Sequence, residues 1–308
     1  MAVYTKLTKR EIIAHLEEYE IGEFVDFKEI LSGVDNSNFI LETSAGKYIL
    51  TIFEKRIKEN ELPFFINLVV HLSENNLPVA TPIVAKSGER IVKIKNKNSV
   101  IVNFLNGGEV REIKAKHCFA LGEILAKMHL SALNFHEKRE NDVGIWQFLS
   151  IFRKFEHLLD DYQIGLKTEI KSDIEFLQNN WNDNLPNAPA HLDLFVDNVF
   201  FDENDKLCGI IDFYFAANDL LIYDFAITMM VWCDDEEKFT NFLNGYQKFR
   251  KLSEEEKDFL KIALVASCMR FLLTRLHDMF FTSSDSFVTI KDPQEYLQKL
   301  RFFKANLS

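Results

Sequence analysis

The stretch that decides the fold reads His191-Leu192-Asp193-Leu194-Phe195-Val196-Asp197-Asn198, and a short strand pair later comes Ile210-Ile211-Asp212-Phe213. It places the carboxylate of Asp193 five residues before the carboxamide of Asn198, and a second carboxylate, Asp212, ends the next apolar run. Either half alone is equally consistent with a polar turn. The two halves in this order are harder to explain as turns, so they indicate a loop and a strand end that act together.

This order of residues is the pattern of the catalytic core of kinases. Phosphoryl transfer from ATP needs a carboxylate that orients and deprotonates the attacking hydroxyl, and it needs oxygen ligands for Mg²⁺. Asp193 is therefore the candidate catalytic base, and Asn198 and Asp212 are the candidate Mg²⁺ ligands. A loop-capping amide and a strand-end turn residue are the structural alternatives for those two ligands. We expect His191 to brace the loop through a hydrogen bond rather than to titrate during catalysis.

The composition limits the class of protein. With 308 residues, the chain can form two domains or one large two-lobed domain. Its net charge of -11 argues against nucleic acid or an anionic membrane surface as the main partner. Residues 1–6 lack the apolar region of a signal peptide and no run of roughly eighteen apolar residues follows, so we expect a cytoplasmic protein without a membrane span. The cysteines indicate buried free thiols: Cys118, Cys208, Cys233 and Cys268.

The first third of the chain has the pattern of a small α+β lobe. Thr8 and Glu11 have the spacing of a capping box, which predicts an amphipathic helix immediately after them. A second helix is predicted over residues 61–74. Strands are predicted at Phe24–Leu31, Asn38–Thr43, Lys47–Phe53, Arg90–Lys95 and Ser99–Leu105.

The rest of the chain is mostly helical in pattern, and the exceptions are two short strand-like runs, Val199–Phe201 and Leu207–Ile211. We place the boundary after residue 102, which gives an N-terminal nucleotide-binding lobe of residues 1–102 and a hinge with a catalytic and substrate lobe of residues 103–308. Helices are predicted at Ala115–Leu130, Ile145–Asp160, Thr168–Trp181, Asp219–Cys233, Asp235–Phe249 and Glu254–Phe281.

A polar turn between the first two strands is the candidate phosphate-binding segment. Small and polar residues let backbone N–H groups approach phosphate oxygens. Only one glycine is present, so a plain hairpin turn is the alternative. The candidate phosphate-binding residues are Ser32, Gly33, Asn36, Ser37 and Asn38.

The segment that leaves the last strand of the small lobe is the candidate hinge. Its residues are Asn103, Phe104 and Leu105, whose backbone groups could hydrogen-bond the edge of an adenine. A plain edge strand running into a linker explains the sequence equally well.

Together, the His191–Asn198 loop, the Asp212 strand and the Leu121–His129 helix resemble the aminoglycoside-phosphotransferase-like, or choline-kinase-like, family of small-molecule kinases. The resemblance covers nearly the whole chain. It implies an α+β fold of two protein-kinase-like lobes, with a small antiparallel sheet in the N-lobe and a mostly helical C-lobe, and it implies MgATP as the phosphoryl donor. Tyr214 follows Asp212-Phe213 where protein kinases have glycine, which separates the chain from that group.

Within this family, Glu61–Phe65, Gly209–Ala216 and Arg270–Leu276 resemble the kinase-fold type of bacterial homoserine kinases. That resemblance implies phosphorylation of the side-chain hydroxyl of L-homoserine, a step toward threonine. One alternative is a kinase for another small amine or amino alcohol, such as choline or an aminoglycoside. A second is a catalytically silent nucleotide-binding protein on the same fold.

The resemblance also directs attention to substrate residues. A planar guanidinium matches the geometry of a carboxylate, so Arg270 or Arg275 is expected to hold a substrate carboxylate. Buried ion pairs or helix capping are the structural alternatives for these arginines and for Asp224. Tyr214 and Asp219 complete the set of candidate substrate residues.

One position departs from the kinase pattern. Kinases commonly carry a basic residue on the third strand that pairs with a helix glutamate. Here Thr51 occupies that position, and Glu61 would be the partner. Either Lys55 or Arg56 reaches back to the phosphates, or the α- and β-phosphates are held without this ion pair.

Overall fold

The computed structural model describes residues 4–31, 36–54, 57–282 and 291–306, and the chain forms two compact units. The first unit comprises Met1–Glu109 and Asp197–Tyr214, and the second comprises Val110–Val196 and Phe215–Ser308. The chain therefore returns to the first unit after it has entered the second. A division into residues 1–102 and 103–308 does not anticipate this return.

Secondary structure follows the predicted α+β class, which is confirmed. The helices are α1 (Lys9–Leu16), α2 (Leu62–Glu74), α3 (Ala115–Ala132), α4 (Phe148–Arg153), α5 (Leu159–Tyr162), α6 (Leu166–Asn179), α7 (Leu221–Trp232), α8 (Glu236–Gln247), α9 (Glu254–Phe281) and α10 (Gln294–Ala305). The strands are β1 (Phe24–Ile30), β2 (Asn36–Thr43), β3 (Gly46–Phe53), β4 (Val92–Ile94), β5 (Lys97–Asn103), β6 (Asn187–Ala190), β7 (Val199–Phe201), β8 (Leu207–Ile210) and β9 (Ala217–Leu220).

An antiparallel sheet dominates the first unit. Among the described residues it has five strands in the order β1-β2-β3-β5-β4. Because side chains alternate across a strand, one face buries Phe39, Leu41 and Leu50 in the core that includes α1. The other face buries Phe53 and Val100 against α2. Each fully buried apolar side chain contributes about 2 kcal/mol, so the two faces fix the register of the sheet.

The ribbon formed by β7 and β8 belongs to the first unit. Ile210 of β8 bridges to Val79, and Phe201 of β7 bridges to Gly108. A Cβ on Gly209 would lie 2.7 Å from Leu105 Cδ1, so a larger residue at this position would require the Leu105 side chain to move. The ribbon thereby fixes the two chain segments that precede and follow it, which carry Asn198 and Asp212.

Helices form most of the second unit. The α3 and α8 helices approach until a Cβ on Gly122 or Gly245 would overlap the backbone of the facing helix. The longest helix, α9, starts at a capping box between Ser253 and Glu256 and has the predicted bounds. The capping box of Thr8 and Glu11 at α1 is likewise confirmed.

Two helix predictions were wrong. The segment Ile145–Asp160 is not one helix, because Phe155 leaves the helical region with φ -132° and ψ 6°, and short helical pieces stand on either side. The predicted Asp219–Cys233 helix begins only at Leu221, since Asp219 pairs with Ala188 in the β6–β9 strand pair. Periodicity along the chain reports neither the break at Phe155 nor the pairing of Asp219 with a distant strand. Within the described ranges, no helix has both the length and the apolar character needed to cross a membrane.

Candidate functional site

Asp193 lies in the second unit on the loop that follows β6. Its backbone N–H donates to His191 Nδ1 at 3.2 Å, and the N–H of Phe195 donates to the Asp193 carbonyl at 2.8 Å. The Asp193 side chain is 15% exposed, so its carboxylate can meet a small molecule. These contacts place His191 where it orients the backbone of the candidate base.

A buried carboxylate on α7 holds the start of this loop. Asp224 is fully buried, and it accepts the N–H of Leu192 at 2.7 Å and the N–H of His191 at 3.2 Å. It also accepts a hydrogen bond from His129 Nε2 at 3.0 Å. Burial acts to raise the pKa of Asp224, but the hydrogen bond from His129 and the neighbouring histidines outweigh it, so the pKa is lowered. Asp224 is therefore a structural anion.

The hydrogen bonds continue from Asp224 across three helices. Tyr246 Oη lies 2.8 Å from His129 Nδ1, Arg250 Nη1 donates to Tyr246 Oη at 3.0 Å, and Arg250 Nη2 donates to Glu256 Oε1 at 2.7 Å. Since a guanidinium can only donate, the tyrosine hydroxyl accepts from Arg250 and can donate its own proton to Nδ1. With Nδ1 able to accept from Tyr246, Nε2 carries the proton that the bond to Asp224 requires. No sequence pattern revealed this network.

On the opposite side of the same loop lies Arg270 of α9. Its Nη1 donates to the carbonyl of Leu192, and its Nη2 lies 3.9 Å from Asp193 Oδ1. Leu192 is fully buried with φ +62°, a left-handed conformation that costs a non-glycine residue about 1–2 kcal/mol. Asp224 thus accepts from the N–H of this strained residue, and Arg270 donates to its C=O. We call Asp224 and Arg270 together the Leu192 clamp.

Asp219, a candidate substrate residue, is buried on β9. Its Oδ2 accepts from Asn141 Nδ2 at 2.7 Å, and its Oδ1 accepts from the Leu220 N–H at 2.8 Å. Burial raises the pKa of Asp219 to about 6 against the effect of these hydrogen bonds. No sequence pattern singles out Asn141 or Arg139, whose backbone exchanges two hydrogen bonds with Asn218 beside Asp219.

Arg275, the other candidate arginine, is bound to α10. Its Nη1 donates to Glu295 Oε2 at 2.7 Å and to the Asp292 carbonyl at 3.0 Å, and its guanidinium lies 4.1 Å from the ring centre of Tyr296. A cavity of about 420 Å³ lies beside these residues. It is lined by Phe195, Val231, Arg275, Lys291, Asp292, Glu295, Tyr296 and Lys299.

The two candidate metal ligands lie in the first unit at one end of the β7–β8 ribbon. The N–H of Ile211 donates to the carbonyl of Asn198 at 3.1 Å, which brings the backbones of Asn198 and Asp212 next to each other. Asp212 has φ +63°, a strained conformation that is common at functional sites. A carboxylate and an amide oxygen are hard donors of the kind Mg²⁺ prefers, with phosphate and water oxygens completing the shell. The described residues hold no cluster of three His, Cys, Asp or Glu side chains suited to a metal, and this site needs none.

The candidate phosphate-binding residues do not share one face of the sheet. Asn36 and Asn38 alternate with Ser37 along β2, and Asn38 pairs with Thr51 of β3. Thr51 Oγ1 donates to Asn38 Oδ1 at 2.8 Å. The buried Asn36 Oδ1 has no hydrogen-bond partner among the described residues. We call Asn36, Asn38 and Thr51 the neutral face.

Ser37 points to the opposite face of the sheet. Its hydroxyl donates to Glu54 at 2.6 Å and accepts the N–H groups of Tyr4 and Thr5. Lys97 pairs with the same Glu54 carboxylate. Ser37 is thus part of a structural cluster, and the predicted residues Ser32 and Gly33 lie outside the described residues.

The residues at the two positions of the usual lysine–glutamate pair each have another partner among the described residues. Thr51 bonds to Asn38, and Glu61, which precedes α2, pairs with Lys58 at 2.9 Å. The two basic residues considered as substitutes, Lys55 and Arg56, lie outside the described residues.

Hinge residues Asn103 and Phe104 already use their backbone N–H groups. The N–H of Asn103 donates to the Thr81 carbonyl at 3.1 Å, and that of Phe104 donates to the Lys47 carbonyl at 3.3 Å. An adenine contact at these two residues would therefore use their carbonyl groups. Leu105 instead packs its side chain against Gly209.

Comparisons with known proteins agree with this architecture. Residues 26–257 match the phosphotransferase enzyme family. A homoserine kinase of Rhizobium meliloti (strain 1021) is 40% identical over 314 residues, which cover 100% of this chain and 96% of the relative. A homoserine kinase of Caulobacter vibrioides (strain NA1000 / CB15N) is 41% identical over 313 residues, which cover 100% of this chain and 99% of the relative.

Solved structures share the fold at low sequence identity. An amicoumacin kinase, solved in complex with AMP-PNP and Ca²⁺, has a TM-score of 0.70 and 15% identity, with 98% of this chain and 93% of that chain covered. The choline kinase LicA from Streptococcus pneumoniae has a TM-score of 0.68 and 14% identity, with 97% and 99% covered. These likenesses confirm the predicted two-lobed kinase-like fold.

Proposed function

The chain belongs to the phosphotransferase enzyme family, and from that premise we propose that it is an ATP-dependent kinase for the side-chain hydroxyl of L-homoserine. The observation that carries this proposal is the 40–41% identity, over the whole chain, with relatives named homoserine kinase. The predicted small-molecule kinase is confirmed at the level of the family. The identity of the acceptor alcohol is our proposal.

Asp193 is the group we assign to the acceptor hydroxyl. Its partly exposed carboxylate would accept the hydroxyl proton and align the oxygen with the γ-phosphorus. Positioning and charge neutralisation supply most of the rate gain in such reactions, so the orientation of Asp193 matters more than its basicity. A loop backbone held by His191 and Asp224 supports this role.

Asn198 and Asp212 are the residues we assign to Mg²⁺. Their oxygen donors and their adjacent backbones support the assignment. When bound, Mg²⁺ would neutralise charge on the transferring phosphoryl group. We assign the nucleotide to the neutral face, where the buried amide of Asn36 has a polar atom in need of a partner.

Among the substrate candidates, we retain Asp219 for the α-ammonium group of homoserine. A buried carboxylate with a raised pKa gains most from a cationic partner, and an α-ammonium group supplies one. Tyr214 packs edge-on against the rings of Phe53 and Phe65, which supports a packing role. Arg275, bonded to α10, has contacts that support a role in holding that helix.

A kinase for another amine or amino alcohol is the second candidate. An aminopropanol kinase and a choline kinase share the fold at 14% identity, so the fold is compatible with an acceptor of this kind. A silent kinase fold is the third, and Thr51 in place of the usual lysine is its support.

The test is ADP release with MgATP and a panel of L-homoserine, L-serine, choline and an aminoglycoside, with the phosphate ester identified by ³¹P NMR. We expect selective phosphorylation of homoserine, and a fall of about 1,000-fold or more in turnover for Asp193→Asn. Asp197→Asn is the matched control, because Asp197 is an exposed carboxylate on the same loop. Phosphorylation of choline or the aminoglycoside instead would favour the second candidate, and binding of ATP without any turnover would favour the third.

A further inference from the structure

We propose that Arg270 is a positioning residue for Asp193 and not a ligand of the substrate carboxylate. This inference rests on the proposed kinase function, but it does not depend on which alcohol is the acceptor. Arg270 would act through the backbone of Leu192, the residue that immediately precedes the base.

The first support is the Leu192 clamp. The N–H of Leu192 is held by Asp224, and its C=O is held by Arg270 Nη1. Leu192 has φ +62° and is fully buried, so its conformation has to be maintained by the groups around it. The direction in which the Asp193 side chain leaves the loop follows from this conformation, because the two residues share a peptide bond.

The second support is the distance between the guanidinium and the base. Arg270 Nη2 lies 3.9 Å from Asp193 Oδ1, which is too long for a hydrogen bond but short for a charge interaction. Arg270 therefore favours the ionised form of Asp193, the form that can accept a proton from an alcohol.

The third support is the burial of Arg270 itself. The side chain is 1% exposed, and its guanidinium lies 5.3 Å from the ring centre of Phe215 and 4.9 Å from that of Phe271. An arginine often binds a carboxylate through two parallel N–H donors, and because Nη1 already donates to Leu192, only the edge formed by Nε and Nη2 could take a substrate carboxylate. Arg270 Nε has no hydrogen-bond partner among the described residues, and it is the atom a carboxylate could use. Substrates with and without a carboxylate therefore distinguish a residue that positions Asp193 from one that binds the substrate carboxylate.

The experiment compares L-homoserine with 3-aminopropan-1-ol, which is homoserine without its carboxylate, and adds ATP hydrolysis without any acceptor. For Arg270→Lys we expect kcat to fall by the same factor, roughly 100-fold, in all three reactions, with KM for homoserine nearly unchanged, since misplaced catalytic groups cost about that much. The acidic limb of the pH profile of kcat should move to higher pH in Arg270→Met, because the neighbouring positive charge is gone.

A loss confined to homoserine, with 3-aminopropan-1-ol and ATP hydrolysis at the wild-type rate, would overturn the proposal and return Arg270 to the substrate carboxylate. Arg301→Lys is the matched control, since this arginine also pairs with a carboxylate but lies partly exposed on α10, and its turnover should not change. If Arg270→Met fails to fold, Arg270→Lys still distinguishes the two roles, because lysine keeps the positive charge and loses only the planar set of guanidinium N–H donors. If the wild type phosphorylates a different alcohol, the homoserine assignment fails, while an equal loss with that alcohol and in ATP hydrolysis still supports the role of Arg270.

Discussion

The loop that carries Asp193 and the neutral face of the β2–β3 strands are held by different kinds of interaction. Charged groups with almost no exposure hold the loop, Asp224 on one side of Leu192 and Arg270 on the other. The neutral face is held by strand register, with uncharged side chains such as Asn38 and Thr51 paired across two strands. A buried charge that loses its partner is costly, whereas a neutral hydrogen bond between side chains is worth only about 1 kcal/mol. We therefore expect the loop to be sensitive to substitution and the neutral face to be tolerant.

Asp224→Asn should have the largest effect. His129 Nε2 and the N–H groups of His191 and Leu192 all donate to the Asp224 carboxylate, so an asparagine NH₂ group would face donors instead of accepting from them. We expect a loss of about 3 kcal/mol in the free energy of unfolding in urea, because the network would keep buried groups without partners.

Asp258→Asn is the control for that measurement, because Asp258 is an exposed residue of α9 and its substitution should change stability by no more than about 0.5 kcal/mol. Equal stability of the Asp224 and Asp258 variants would break the comparison, since the loop would then not depend on its buried anion.

Asp219→Asn should have an effect that approaches that of Asp224→Asn only across a pH range, because it depends on the titration of one carboxyl. The folded-state pKa of Asp219 is raised from 3.8 to about 6 by burial, so the folded protein binds more protons than the unfolded chain between these values. The stability contributed by the protonated form is present below pH 4 and is lost as the pH rises through 6. We expect the unfolding free energy of the wild type, relative to Asp219→Asn, to fall by about 3 kcal/mol over this window.

Urea titrations of both proteins at pH 4, 5, 6 and 7 measure this difference. A difference that stays constant, or that grows with pH, would contradict a raised pKa at Asp219. A growing difference would mean that the pKa of Asp219 is lowered, as that of Asp224 is.

Thr51→Val should have the smallest effect. Valine keeps the shape of threonine and removes the hydroxyl that donates to Asn38, so the loss is that of one neutral hydrogen bond. We expect KM for ATP to rise by about five-fold with kcat nearly unchanged, because such a bond is worth about 1 kcal/mol. Thr51→Ser keeps the hydroxyl and should match the wild type. A fall in kcat of about 100-fold would instead mean that the neutral face acts in the transition state.

Much of the fold follows from local patterns. The capping boxes at α1 and α9 and the alternation in β2 and β3 are properties of neighbouring residues, and the structure contains each of them. Alternation also bears on the phosphate-binding candidates. Ser37 stands between Asn36 and Asn38 in one strand and must face away from both, so the period of two by itself argues against grouping the three residues in one site.

The Leu192 clamp could not be predicted in this way. Asp224 lies 32 residues from Leu192 in the chain, and Arg270 lies 78 residues away. Each sits in an apolar helix where an ion pair, a cap and a functional contact have the same sequence pattern. The predicted start of α7 was wrong for a related reason, because the pairing of Asp219 with Ala188 is a contact between strands that are distant in the chain.

The order Asp193, Asn198 and Asp212, with the apolar periodicities around it, was enough to identify the kinase-like fold and to predict which residue types would carry phosphoryl transfer. These are short-range features, since a catalytic loop and a strand end need particular side chains at particular spacings along the chain. Only the tertiary structure decided which charges hold Asp193 in place, that Ser37 bonds to Glu54, and that Arg275 is bound to α10. Those outcomes depend on burial and on distances between remote segments, and a linear pattern of residues does not encode either quantity.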